Sequence, residues 1–82
     1  MEPRVHTATV TIYNRNQAYR EVGELLHQFA DFILLRVGFP MAEKNIAIIF
    51  LILQMTTDQL GALTGRLGQI ATVKVKSTSL SV

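Results

Sequence analysis

The 82-residue chain has no cysteine and no tryptophan, only two prolines, and just 17% charged residues. Each shortage excludes something. Without cysteine there is no disulfide, no thiolate metal site and no thiol nucleophile. The same absence suits a reducing cytosol, and a cytoplasmic location is expected. Long hydrophobic runs are missing too. The longest, Ile46 to Leu53, falls far short of the ~20 residues that cross a bilayer, so no membrane partner is expected. The opening Met1-Glu2-Pro3-Arg4 lacks the apolar core of a secretory signal. A grouped basic surface is the last absence. The formal charge is +2, but the Lys and Arg residues stand apart, with Lys74 and Lys76 the only close pair. Nucleic-acid binders concentrate such residues on one face, and both helices described below must spend their apolar stripes on a sheet. No sequence-specific DNA binding is therefore expected.

What is present is apolar: 49% of the chain. This length allows one domain, residues 1–82, burying roughly 60–65% of its unfolded surface. Such a core is marginal, and with disulfides excluded the remaining reinforcement is oligomerisation.

The periodicities give an order of elements. Val5 to Ile12 alternates, with Ala8, Val10 and Ile12 on one face and Thr7, Thr9 and Thr11 on the other, the mark of a half-buried strand. His6 is read as lying on the polar-facing register. Asn14-Arg15-Asn16 breaks the strand and offers helix N-caps. Ala18, Val22, Leu25 and Phe29 recur at helical spacing, which predicts an amphipathic helix over 16–29. Phe32 to Phe39 is a second strand, ended by Gly38-Phe39-Pro40, and a turn at Glu43-Lys44-Asn45 leads into a third, Ile46 to Leu53. Thr56-Thr57-Asp58-Gln59 has the form of a capping box ahead of a helix striped by Leu60, Leu63, Leu67 and Ile70. Val73 and Val75 alternate with Lys74 and Lys76 in a closing strand. The order βαββαβ predicts an α+β, ferredoxin-like sandwich: a four-stranded antiparallel sheet with two helices on one face.

Two features exceed what that fold requires. The third strand is apolar on both faces, which implies burial on both sides, although Val and Ile also favour strands regardless of burial. Something must cover the face without helices, and the economical candidate is a second copy of the chain, as dimer or tetramer. The expected interface takes Phe32, Leu34 and Arg36 from the second strand and Ile48, Phe50 and Ile52 from the third. Arg36 is either a charge guarding an edge strand or an anion anchor in that interface. The second feature is Gly61, Gly65 and Gly68, on the side of the second helix away from its leucines. They mark either a tolerated helix end or close approach by a partner or ligand. A candidate ligand site comprises these glycines with Asn14, Arg15 and Asn16.

Familiar chemistries of the sandwich fail at their residues. Base stacking needs aromatics on the first and third strands, where only Tyr13, at a strand end, and Phe50 occur. A phosphate-cradling loop after the first strand would need glycine, which Tyr13 to Gln17 lacks, and a copper carrier would need paired cysteines. No metal or cofactor is expected: Glu24 and His27 share a helix face, but as part of a solvated surface. No Ser–His–acid grouping is suggested by spacing, so no enzyme is expected.

The segments Ala18–Val22, Ile33–Pro40, Asn45–Leu53 and Leu60–Ile70 together resemble the small stand-alone iron-only hydrogenase system regulators, over nearly the whole span from Ala8 to Lys76. The resemblance implies an ACT-like regulatory domain, related to the C-terminal domain of nickel-responsive repressors, that pairs through its sheets. It implies no catalysis, and either a small-molecule effector or a partner protein. A structural module for hydrogenase maturation, without a ligand, is the alternative. Nickel sensing does not carry over, because residues 32–53 contain neither histidine nor cysteine. Nor is there a ribbon–helix–helix segment, and the loop at residues 13–17 lacks the glycine of amino-acid-binding ACT domains.

Overall fold

In the computed structural model, which describes residues 2–82, the elements run β1 (Arg4–Ile12), α1 (Arg15–Gln28), β2 (Ile33–Met41), β3 (Ile46–Met55), α2 (Thr57–Gln69) and β4 (Val73–Ser79). Short 3-10 turns at Ala30–Phe32 and Ala42–Lys44 flank β2. The strands form one sheet in the order β2-β3-β1-β4, with every neighbouring pair antiparallel. Strands β1 and β3 are central, and β2 and β4 are the edges.

One face of the sheet carries the core. Ala8, Val10 and Ile12 of β1 and Ala47, Ile49, Leu51, Leu53 and Met55 of β3 meet the helix stripes Ala18-Val22-Leu25-Leu26 and Leu60-Leu63-Leu67 in one buried cluster. The helices start differently. Thr56 caps α2 through a reciprocal box: its hydroxyl accepts from Gln59 N–H (3.1 Å), while Gln59 Oε1 accepts from Thr56 N–H (2.9 Å). Two otherwise orphaned donors are thereby satisfied. Asn14 occupies the N-cap position of α1 in left-handed backbone (φ 54°) but makes no side-chain cap. Its Oδ1 instead accepts from Asn45 Nδ2 (3.1 Å), and Arg15 N–H donates to the Asn45 carbonyl (2.9 Å). Asn45 is also left-handed, a conformation asparagine tolerates better than most residues.

Three expectations need correction. His6 is wholly buried, because it shares the even register of Ala8, Val10 and Ile12. Its imidazole Nε2 lies 3.0 Å from the Met55 carbonyl and Nδ1 lies 2.8 Å from Ser79 Oγ. Strand β2 does not end at Gly38-Phe39-Pro40 but runs through them to Met41. An edge strand can hold a proline, since one side of its ladder is unpaired. Finally, β2 contains a bulge. Ile33 pairs with Leu53, yet Leu35 pairs with Ile52, so Leu34 is an extra residue. Every later residue of β2 is thereby moved to the opposite face.

Candidate functional site

The face of the sheet without helices is divided by strand. On its β2–β3 half the pairs Leu35–Ile52, Val37–Phe50, Phe39–Ile48 and Met41–Ile46 stand side by side. Phe39 is 62% exposed and Val37 49%, so these are apolar groups facing water. On its β1–β4 half the pairs are Thr7–Thr78, Thr9–Lys76 and Thr11–Lys74, and Thr7, Thr9 and Thr11 adjoin Ile52, Phe50 and Ile48 across β1–β3.

The bulge decides which residues belong to the apolar half. Regular pairing from Ile33 onward would have placed Leu34 and Arg36 beside Ile52 and Phe50. Instead Leu34 stands at the bulge, and Arg36 pairs with Leu51 on the helix side, exposed at the rim. Phe32 lies in the 3-10 turn and packs against the core, its ring 6.3 Å from that of Phe29. Of the six expected interface residues, only Ile48, Phe50 and Ile52 share the open face. Leu35, Val37 and Phe39 were missed there. The signal was the apolar content of both registers of β2, which left the phase undecided.

The expected ligand residues are similarly divided. Asn14 and Arg15 sit at a corner where the β1–α1 and β2–β3 connections are tied by Asn45, and Asn16 is an exposed residue of the first turn of α1. A small cavity of about 80 Å³ opens there, lined by Arg15, Tyr19, Gly38, Phe39, Pro40 and the start of β3. The Arg15 guanidinium lies 4.9 Å from the Tyr19 ring centroid, and its Nε is buried without a hydrogen-bond partner. A buried donor left unpaired is costly unless something else accepts from it. Gly61, Gly65 and Gly68 do not line this cavity. They lie on the exposed side of α2, and a Cβ on any of them would meet nothing within 4 Å.

That open space yields a prediction. In an exposed helix interior each glycine costs about 1 kcal/mol relative to alanine, so Gly61→Ala/Gly65→Ala should stabilise the fold by about 1–2 kcal/mol in urea denaturation. A double variant that is stabilised but dissociated would locate a subunit contact on α2 instead of the sheet. Among the described residues, no three His, Asp or Glu side chains converge as a metal site, and no helix is long and apolar enough to cross a membrane.

Residues 4–77 match the family model "TM1266-like: Iron-only hydrogenase system regulator, putative". Among solved structures, the chain is similar to the uncharacterized protein TM1266 from Thermotoga maritima, at 51% identity and TM-score 0.93, covering 98% of this chain and 100% of that one. It is also similar to the ACT domain of GTP pyrophosphokinase from Chlorobium tepidum, at 18% identity and TM-score 0.78, covering 93% and 99% of the two chains. A protein of unknown function from Bacteroides thetaiotaomicron shares the fold more distantly, at 13% identity and TM-score 0.57, with 98% and 100% covered. None of the curated proteins matches the chain. The architecture is thus the ferredoxin-like βαββαβ sandwich in its ACT-like form.

Proposed function

Because the chain belongs to the TM1266-like family of iron-only hydrogenase system regulators, we propose that it is a non-catalytic regulatory module working by self-association and by binding a ligand or partner protein. The apolar half of the open sheet face carries this reading. Eight side chains on two adjacent strands share that half, Leu35, Val37, Phe39 and Met41 with Ile46, Ile48, Phe50 and Ile52, and Leu35, Val37, Phe39 and Phe50 among them are exposed. A standard interface takes about 800 Å² from each partner, and a face of this extent at about 25 cal/mol per Å² supplies a driving force of the size association requires. The occupant is a second copy, since a two-fold arrangement lets one apolar patch cover its own equivalent. An axis parallel to the strands, between β2 and β3, lays the two apolar halves on each other and leaves both Thr/Lys halves free. An axis perpendicular to the strands would set lysine against lysine. The unpartnered Arg15 Nε favours an acceptor-bearing effector at the corner over a module with no ligand. Regulation passes through other proteins, because neither helix is free to enter a DNA groove.

Sedimentation velocity at micromolar concentration should show a dimer or larger species. A compact monomer at that concentration would sink the proposal.

A further inference from the structure

The four strands contain no Asp or Glu at all; every acidic residue lies in a helix, a turn or the N-terminal segment. The strands carry four basic residues, Arg4, Arg36, Lys74 and Lys76. Of these, Arg36 pairs with Leu51 and Arg4 with Met55, on the helix side. Lys74 and Lys76 share the register of Thr11 and Thr9 on the open face. That half of the sheet is therefore a cationic surface with no carboxylate of its own to neutralise it.

Its groups are arranged in pairs. Thr9 faces Lys76 and Thr11 faces Lys74 across β1–β4, so each threonine stands beside a lysine, with Cβ atoms about 4.5–5.5 Å apart in such pairs. The two pairs repeat along the strands at two residues, about 7 Å. Together with Tyr13 these residues line a shallow cavity of about 330 Å³. The Lys74 ammonium lies 5.8 Å from the Tyr13 ring centroid, a cation–π contact that restrains one wall of the cavity. Among the described residues, neither threonine hydroxyl and neither lysine has a hydrogen bond or ion pair.

We propose that Thr9, Thr11, Lys74 and Lys76 form a binding site for a small anion bearing a diphosphate group. Two threonine hydroxyls and two ammonium groups on long stems can converge on two linked phosphoryl groups and supply each with a hydroxyl and an ammonium donor. A single phosphate carries less charge and fewer acceptor oxygens, so it engages this donor set less completely. Charge-assisted bonds of this kind are about twice as strong as neutral ones, and the absence of competing carboxylates leaves them to the ligand. The site lies outside the apolar half, so it stays open when that half is covered.

The test is calorimetric titration of the full chain with sodium pyrophosphate, a nucleoside diphosphate and orthophosphate at low salt, where screening is weak. Pyrophosphate should bind saturably, once per chain. Lys74→Gln and Lys76→Gln should each weaken it about tenfold, the equivalent of about 1.4 kcal/mol. Arg20→Gln removes the same charge from the helix side, where Arg20 pairs with Glu24, and should change nothing. A nucleoside diphosphate binding more tightly than pyrophosphate would identify a nucleotide as the source, and equal affinity would identify the diphosphate alone. Equal loss in the Arg20 variant, orthophosphate as tight as pyrophosphate, or no saturation would each overturn the assignment.

Discussion

Replacing Leu51 with alanine is expected to unfold much of the protein, whereas replacing its neighbour Phe50 with serine should leave a folded monomer. The two side chains are adjacent in β3 but point to opposite faces. Leu51 is fully buried between sheet and helices, and Phe50 is 38% exposed on the open face. Truncating a buried leucine costs about 2–5 kcal/mol, through lost transfer energy and the cavity left behind. A chain of 82 residues has roughly 4–12 kcal/mol of stability in total, so the loss consumes much of it. Since 1 kcal/mol moves the melting point of a domain this size by about 4–8 °C, Leu51→Ala should lower Tm by at least ~10 °C. Phe50→Ser removes apolar area only from the uncovered side. Any fall in its Tm reflects lost association and therefore depends on protein concentration, which the Leu51→Ala effect does not. Thermal melts at two concentrations, followed by sedimentation, separate the cases. Equal, concentration-independent losses would mean that the face carrying Phe50 is not an interface.

His6→Ala should be the next most damaging exposed-looking change in the sequence, costing about 2–4 kcal/mol. Nε2 can meet the Met55 carbonyl only as a donor, and Nδ1 shares a hydrogen bond with the Ser79 hydroxyl. One imidazole thus joins β1 to the ends of β3 and β4, where Leu80 N–H also donates to the Val5 carbonyl (2.9 Å). Alanine leaves a void and removes a partner from both groups. Ser79→Ala leaves the imidazole in place and should cost about 1 kcal/mol, the value of one ordinary hydrogen bond. Urea denaturation of both variants measures the difference. A His6→Ala protein within ~0.5 kcal/mol of the parent would show that water replaces the ring without penalty.

Much of this architecture was legible because the patterns were strong. Alternation in Val5 to Ile12, the leucine spacing of the second helix and the Thr56–Gln59 box each depend on a local rule that the tertiary structure left in force. The misreadings have equally local causes. The parity of Ala8, Val10 and Ile12 already includes His6, and its two hydrogen bonds let register prevail over polarity. In β2 every position from Ile33 to Val37 except Arg36 is apolar, so no alternation existed to reveal the extra residue. The corner could not be read, because it depends on Asn14 and Asn45, 31 residues apart, both adopting left-handed backbone. The glycines of α2 were visible as an anomaly, and the single chain offers them only open space.

The bulge at Leu34 also bears on how such a chain can change length over generations. Deleting Leu34 would join Ile33 directly to Leu35, whose partners Leu53 and Ile52 are already consecutive. The strand would become regular while every downstream pair kept its neighbour and its face. A deletion further along the ladder, from Arg36 onward, would instead shift the residues between it and the bulge to new partners and the opposite face. Lineages are therefore free to lose or regain one residue at this position without redrawing the apolar half of the open face. Alignments of relatives should place their gaps in β2 there.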